Sequence, residues 1–541
     1  MIARFLKRLS GMRLGLLLIG AALTGMIPVF PMLGFLQWFT MIPIFIGLFR
    51  IADDRTVRLR RMYLYGFLTV FVYYFVIYHW FCALYPLDFA GMDPIGAAVV
   101  IAAGWIGLSF LQALPGGLIF LAWGFLHKKG AFDRFPILRV LSFSALWIVF
   151  EWSSTLHWSG VPWGRLCLGQ VDYLPMLQSA SLFGSYFISL LILLVNGLLA
   201  YALIFFFSQR KKALVCMICA VAAVASNLVL GCGLLATESS DSETLRVAVV
   251  QGNISSQEKW GVNSEALTKE IYGEKTRQAA KEGAELILWP ETAFPNKLNA
   301  SYNADLMEFV TDLARECRVT LVVGALYLGE DGEEYNVLYW INPMGRVSET
   351  VYAKRHLVPF GEYVPLRELI EVMIPPLAEL SVLDVDLKAG KDSSLFDSEW
   401  GSIGGLICFD SIYEQLTLDS VRDGAELLLL SSNDSWFFDS AAIYQHEAQA
   451  RLRAIETGRF LLRSGNTGIS SIVSDKGEHL AYIDPLTEGY RVADVQMQKT
   501  NTLYTVIGNL LVYLCIAFLA ALLIGVFVRE RFCKKYRAAS F

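Results

Sequence analysis

Charge is what this chain has least of. Of its 541 residues only 18% are Asp, Glu, Lys or Arg, while 55% are hydrophobic and 13% aromatic, and the mean hydropathy is +0.47. Soluble domains carry about 25% charged residues, so the deficit argues against an ordinary soluble protein and makes a membrane protein the starting expectation. Patterned cysteine is missing too. The nine cysteines are scattered, with neither the paired CxxC spacing of a zinc site nor the density of a disulfide framework. Cys216 and Cys219 do form a CxxC, but inside the apolar run "ALVCMICAVAAVA", where they read as small helix residues. There is no internal repeat and no low-complexity tract. The length exceeds one ordinary core, so at least two structural units are expected.

What is abundant is long apolar sequence. About 20 apolar residues at 1.5 Å each cross a ~30 Å hydrocarbon layer. Candidate spans lie near 13–30, 33–50, 62–81, 95–126, 138–154, 179–207, 213–236 and 505–528. The fourth carries "LPGG" at 114–117 and reads as one kinked helix or two short ones. Charge parity favours one. Basic residues cluster at Arg4 to Arg13, Arg55 to Arg61, Lys128 to Arg134, Arg210 to Lys212 and Arg529 to Arg537, and a single fourth span puts every cluster on one face. The opposite loops "PVFP" and "CALYPLDFAGMD" hold no Lys or Arg, and "HWSGVPWGRLCLGQVDYLP" holds only Arg165. Short basic loops stay cytoplasmic, so eight spans with both termini in the cytoplasm are expected. The first apolar run leads directly into further spans and does not read as a signal peptide.

The organisation expected is therefore a membrane domain over 1–236, an extracytoplasmic domain over 237–503, and an eighth span with a cytoplasmic tail over 504–541. The basic loops lie outside the middle segment and the whole chain stands at −5, so that segment is acidic, which argues against nucleic acid as a partner. It alternates short Val, Ile and Leu runs ("LRVAVVQGNI", "AELILWPET", "VTLVVGALYL", "IGGLICF", "AELLLLSSND") with helical spacing in "SEALTKEIYGEKTRQAAKEG" and "AIYQHEAQARLRAIETG". Strands interleaved with helices point to layered α/β packing. Its two cysteines, Cys317 and Cys408, are either a disulfide or two separate thiols.

Three residues in it sit where a strand-like run gives way to a loop: Glu291 in "LILWPETAFP", Lys354 in "VYAKRHLVPFGEYVP" and Cys408 in "GLICFD". Singly, each is ordinary: a Glu after Pro is commonly a cap, a Lys in a basic loop is commonly solvated, and a Cys on an apolar strand is commonly a small hydrophobe. Together they fit one chemistry. A thiol attacks as thiolate and is mostly protonated at neutral pH, so it needs a base such as a carboxylate. Attack on an acyl carbon makes an oxyanion, which an ammonium and the backbone N–H after Cys408 would stabilise. That set calls for no metal and no organic cofactor. In the membrane half, Glu151, with Trp147 and Trp152, ends the fifth span. An ionisable residue there is either functional or solvated at the interface.

The order Glu–Lys–Cys on "WPETA", "KRHLVPFGEYVP" and "ICFD" resembles the nitrilase (carbon–nitrogen hydrolase) superfamily. With "VVQGNI…KW" (249–260), "SNDSWF" (432–437), "QARLRAIETGRFLLRSGNTGIS" (449–470) and the membrane motifs "EWSSTLHWSGVPWGRLCLGQ" and "LVNGLLA", the chain resembles the apolipoprotein N-acyltransferase family over nearly its whole length. The resemblance implies a multi-span helical membrane domain with a nitrilase-like αββα sandwich at the periplasmic face of a bacterial inner membrane. It implies Glu291 as general base, Lys354 as oxyanion stabiliser, Cys408 as nucleophile and Glu362 as a supporting carboxylate. Trp260, Phe409 and Trp436 match positions near the substrate. Asp410 stands where the family usually has Glu, Phe438 replaces a small residue, and "SGNTG" (464–468) replaces "STNNG". The implied reaction takes an acyl chain from a phospholipid, typically phosphatidylethanolamine, through a thioester to the α-amine of an S-diacylglyceryl cysteine on a lipoprotein, in a monomer. The same residues would also serve a membrane-tethered amidase that passes the acyl group to water. The apolar segment 366–385, "LRELIEVMIPPLAELSVLDV", reads either as a mobile arm touching lipid or as a packed surface helix.

Overall fold

A computed structural model describes residues 13–54, 56–87, 93–156, 159–237, 244–259, 261, 263–368, 372 and 385–539. Trp260 and most of the 366–385 segment, residues 369–371 and 373–384, lie outside the described residues. The chain divides into two compact units, one comprising Met1–Phe81, Ala102–Ala236 and Ile507–Phe541, the other Cys82–Ile101 and Thr237–Val506.

The first unit is helical. Its helices are α1 (Arg13–Met26), α2 (Ile42–Asp53), α3 (Leu59–Ile77), α4 (Pro94–Lys128, whose first turns belong to the second unit), α5 (Leu138–Ser153), α6 (Ser185–Phe205) and α7 (Arg210–Leu235), and Leu510–Ala539 returns to it. Six stretches among the described residues are long and apolar enough to cross a membrane: Pro31–Asp53, Leu59–Leu84, Pro94–Lys128, Ser185–Phe205, Arg210–Leu235 and Leu510–Arg531. Two of the expected spans are shorter helices, α1 at 14 residues and α5 at 16. At 1.5 Å per residue these reach only about 21–24 Å.

The fourth run is one helix of 35 residues with Pro115 inside it. Its glycines have a packing role. A Cβ on Gly116 would stand 2.5 Å from Val70, and one on Gly117 2.6 Å from Tyr63, so these glycines let α3 and α4 approach closely.

The short 3-10 helix Leu166–Gln170 before α6 is buried, and its polar groups are partnered, as buried backbone requires. Leu166 N–H donates to Glu151 Oε1 (2.9 Å), Gln37 Nε2 donates to the Leu166 carbonyl (2.6 Å), and Gln170 Nε2 donates to the Gly34 carbonyl (2.8 Å).

The second unit holds two sheets. Its strands are β1 (Thr244–Gln251), β2 (Leu286–Leu288), β3 (Phe294–Lys297), β4 (Thr320–Leu328), β5 (Glu334–Ile341), β6 (Tyr352–Ala353), β7 (Phe396–Ser398), β8 (Gly401–Ile407), β9 (Leu427–Ser432), β10 (Leu461–Gly465), β11 (Ser470–Val473), β12 (His479–Ile483) and β13 (Gly489–Gln496). One sheet runs β13-β1-β2-β4-β5-β6 with β3 beside β4; the other runs β12-β11-β10-β9-β8-β7. Strands β1, β2 and β4 are parallel, as are β8, β9 and β10, with antiparallel strands at the flanks.

Period-two alternation assigns each side chain to a layer. Val247, Val249, Leu286, Leu288 and Val322 of the first sheet pack against Ile403, Ile407, Leu427, Leu429 and Leu462 of the second. The alternate residues, Val250, Ile287, Trp289, Leu321 and Val323, pack under Leu306, Val310 and Leu313 of α9 (Ala304–Cys317), which lies beside α8 (Ser264–Lys281). Helices α10 (Glu414–Arg422) and α11 (Ala441–Thr457) pack on the second sheet. The result is a helix–sheet–sheet–helix sandwich. Central strands buried on both faces explain unbroken runs such as "LLLL" in β9.

Candidate active site

Glu291, Lys354 and Cys408 each lie just past the C-terminal end of a strand, after β2, β6 and β8 respectively. Pro290 carries the chain away from β2, and Glu291 is left 5% exposed. Its Oε1 accepts from Lys354 Nζ (2.8 Å) and Asn336 Nδ2 (2.8 Å), and its Oε2 accepts from the Asn433 N–H (2.8 Å). Gly324 on β4 makes room: a Cβ there would stand 2.4 Å from the Pro290 carbonyl oxygen and 2.8 Å from Glu291 Cα.

Lys354 is 1% exposed, and its ammonium also donates to Glu362 Oε1 (2.9 Å). Asn336 Nδ2 reaches the same Glu362 oxygen (3.1 Å), and the Val358 N–H holds the other (2.8 Å). One amide therefore ties both carboxylates to the lysine. Burial alone would lower the Lys354 pKa, but Glu291 and Glu362 outweigh it and hold the ammonium well above its ordinary value. This lysine stays a fixed cation.

Cys408 opens a 3-10 turn, Cys408–Ile412, with φ +47° in the left-handed region. A non-glycine residue there costs about 1–2 kcal/mol, so surrounding contacts must hold it. Asp410, completely buried, supplies several. Its Oδ2 accepts from the Tyr352 hydroxyl (2.9 Å) and the Ile407 N–H (3.0 Å), and its Oδ1 accepts from the N–H groups of His356 (2.8 Å) and Arg355 (3.2 Å). One carboxylate thus fastens the cysteine turn to the segment carrying Lys354. Burial raises the Asp410 carboxyl to about 6 despite Lys354 and these donors.

Burial pushes the Cys408 thiol up, and the Glu291 charge adds to that; Lys354 acts in the opposite sense. Such a thiol needs an adjacent base to react at neutral pH. Cys408 and Cys317 are separate free thiols, so the disulfide alternative falls.

Several charged groups around these residues were not singled out in the sequence. Lys259 is 3% exposed and donates to the Glu291 carbonyl (2.9 Å), and burial depresses its ammonium to about 7. Asp434, His446 and Arg463 form a fully buried set beside Cys408. One donor atom each of Cys408, Asp434 and His446 lies within 4.8 Å of the others, a grouping that could hold a metal ion. The Asp434 carboxylate is already taken by Arg463 Nη2 (2.6 Å) and His446 Nδ1 (2.8 Å), and a guanidinium there opposes a second cation.

Of the other expected residues, Phe409 packs edge-on against Tyr413 at 5.5 Å, and Trp436 is partly buried in the turn Ser435–Phe437. Glu151 belongs to the first unit. It is 2% exposed rather than solvated, and accepts from the Trp147 indole N–H (3.2 Å) as well as from Leu166.

The sequence profile of the carbon–nitrogen hydrolase family matches residues 246–504, and that of the apolipoprotein N-acyltransferase N-terminal domain matches residues 20–198. The chain is 30% identical over 499 residues to an apolipoprotein N-acyltransferase of Geobacter metallireducens, covering 89% of each protein. It is 30% identical over 476 residues to one from Gloeobacter violaceus (88% of this chain, 87% of the relative). It is 31% identical over 431 residues to one from Methylococcus capsulatus (79% of each).

Proposed function

The chain belongs to the apolipoprotein N-acyltransferase family, and from that premise we propose how it works: an acyl chain passes from a membrane phospholipid, phosphatidylethanolamine, through a thioester on Cys408 to the α-amine of an S-diacylglyceryl cysteine on a lipoprotein. Glu291 takes the Cys408 proton as the sulfur attacks the ester carbonyl. The oxyanion faces the Lys354 ammonium and the backbone N–H after Cys408. Collapse breaks the ester C–O bond, Glu291 returns the proton to the leaving oxygen, and a lysophospholipid departs. The neutral lipoprotein amine then attacks the thioester carbon, gives its proton to Glu291 and forms the amide. The C–S bond breaks, and the thiolate recovers the proton.

One observation carries this reading: a buried lysine bridges Glu291 and Glu362 at 2.8 and 2.9 Å, at the strand ends beside the Cys408 turn. It supplies a cation that cannot dissociate next to a base that is held in place. Glu362 and Asn336 fix the lysine, and Asp410 fixes the segment that carries it.

The membrane unit answers the substrates. Extracting an acyl chain into water costs about 0.8 kcal/mol per CH₂, so both acyl donor and acceptor stay in the bilayer and the chemistry comes to them. Eight spans, α1 and α5 included, with both termini cytoplasmic and the α/β unit on the periplasmic side of the inner membrane, accord with the basic clusters confined to one set of loops. The protein acts as a monomer. Trp260, Phe409 and Trp436 contact substrate, and the 366–385 segment touches lipid.

The test gives the purified protein a phospholipid labelled in one acyl chain and a diacylglyceryl lipopeptide with a free N-terminus. Label on the peptide amine is the expected result. Free labelled fatty acid at the same rate with or without lipopeptide would instead mean transfer to water, the amidase reading.

A further inference from the structure

We propose that His446 is a positioning residue for the nucleophile, holding the Cys408 turn through its carbonyl oxygen and the Ser411 hydroxyl. This rests on Cys408 being the group that is acylated. His446 sits on α11, and its imidazole is 1% exposed. Nε2 stands 3.1 Å from the Cys408 carbonyl oxygen and 3.1 Å from Ser411 Oγ, whose own hydroxyl donates to that same carbonyl at 2.8 Å. Nδ1 stands 2.8 Å from the Asp434 carboxylate. The Asp434 oxygen can only accept, so Nδ1 carries an N–H toward it, and Nε2 closes a triangle of contacts with the Cys408 carbonyl and the Ser411 hydroxyl. Whether Nε2 donates to these oxygens or accepts the Ser411 proton, the ring is tied to both residues of the turn.

Asp434 fixes the ring from its other side. Burial works to raise its carboxyl, but Arg463 and His446 outweigh it and hold it well below the ordinary carboxylate range. Arg463 Nη2 pairs with the other Asp434 oxygen at 2.6 Å and lies 3.3 Å from His446 Nδ1. One donor atom each of Asp434 and His446 lies within 4.8 Å of the Cys408 sulfur. Glu291, Asp434 and Glu362 disfavour the thiolate and Lys354 favours it. The sulfur therefore reacts only if the turn holds it in place for the base and the lysine.

The hydrogen bond has its own role. Cys408 is held at φ +47°, and the His446 and Ser411 bonds to its carbonyl lock that conformation from behind. His446 touches neither the acyl group nor the proton in transit; it acts through Cys408.

The experiment uses the full-length protein in detergent micelles with added phosphatidylethanolamine. His446→Gln keeps a polar amide toward the carbonyl and Ser411; His446→Phe keeps the bulk and loses every hydrogen bond. Iodoacetamide alkylation of the Cys408 peptide is followed by mass across pH, and single-turnover thioester formation is followed against phospholipid concentration. For His446→Phe saturating acylation falls roughly ten-fold, while the half-saturating phospholipid concentration stays within two-fold of wild type, and His446→Gln restores most of the rate. Ser411→Ala, which cuts the bridge without touching the ring, shows a smaller loss of the same kind. Saturating acylation within two-fold of wild type in both His446→Phe and Ser411→Ala, or a loss confined to half-saturation, overturns the proposal. If wild-type protein forms no thioester on Cys408, the proposed function fails, and the alkylation rate of Cys408, altered in His446→Phe and not in His446→Gln, still decides the role of His446.

Discussion

Replacing Lys354 by Met tests the centre of the site. Methionine keeps the length and the apolar stem but removes the charge and every donor. Glu291 and Glu362, with side chains 7% and 13% exposed, would then face each other across one Asn336 amide at 2.8 and 3.1 Å. Two carboxylates so placed cannot both stay ionised, and one takes a proton. Breaking a buried pair by deleting one partner costs about 3–5 kcal/mol, part of which that protonation relieves. The kinetic loss is separate. One oxyanion donor is worth about 3–4 kcal/mol of barrier, a factor of roughly 10²–10³. A proton on Glu291 removes the base as well, so thioester formation should fall by at least about 10³-fold. Lys354→Arg should not rescue it, because a planar guanidinium does not fit a pocket built around an ammonium that is 1% exposed. The assay is a single turnover with acyl-labelled phospholipid, alongside a thermal unfolding curve to confirm that the protein is folded. Thioester formation by Lys354→Met within ten-fold of wild type would refute the reasoning.

Two further outcomes follow from neighbouring groups. Asp410→Asn sets an amide nitrogen against N–H and O–H donors that now share one carboxylate, breaking hydrogen bonds worth about 1.5–3 kcal/mol each. Acylation should fall at least about 100-fold, whereas Asp410→Glu, which keeps four acceptor sites, should stay within roughly ten-fold; the reverse order in a single-turnover assay would contradict the anchoring role. For Lys259 the folded pKa of about 7 lies below the unfolded value of 10.5, so the folded state binds this proton less tightly. The stability tied to this group is present above about pH 10 and lost as pH falls toward 7. Lys259→Met should therefore be more stable than wild type by about 3 kcal/mol at pH 7, after about 1 kcal/mol for the lost hydrogen bond, with almost no gain at pH 10. Thermal midpoints at the two pH values check this, and a variant less stable at pH 7 would contradict it.

Much of the candidate site was legible because its residues sit in short local phrases. Glu291, Lys354, Glu362 and Cys408 each follow or flank a strand-like run, and the order and wording of those runs were enough to group them. The layered α/β fold was legible for a similar reason: buried strands write themselves as unbroken apolar runs. The groups that hold these four in place were not. Asn336 is an isolated amide in the apolar strand "EYNVLYWI", and only the parallel β2–β4 pairing and the β4–β5 hairpin bring it to Glu291. Asp434, His446 and Arg463 come from a loop, a helix and a strand. Their common signal is a polar side chain in a segment that proves fully buried, and burial is a tertiary fact. Helix α11 shows this most plainly, since Gln445, His446, Glu447, Gln449, Arg451, Arg453 and Glu456 all lie inside. Charge spacing along one helix does not reveal that nearly all of its residues are covered. The same limit applied to Glu151, whose position near a span end suggested solvent while its carboxylate caps a buried turn.

The most direct measurement is the mass of the Cys408 peptide after the protein meets a phospholipid of single acyl composition. The account predicts one added acyl group on that peptide, removed by hydroxylamine and by the lipopeptide amine, and absent in Glu291→Gln. Acylation of the lipopeptide with Cys408 replaced by Ser, or with the acyl group found on another residue, would contradict it.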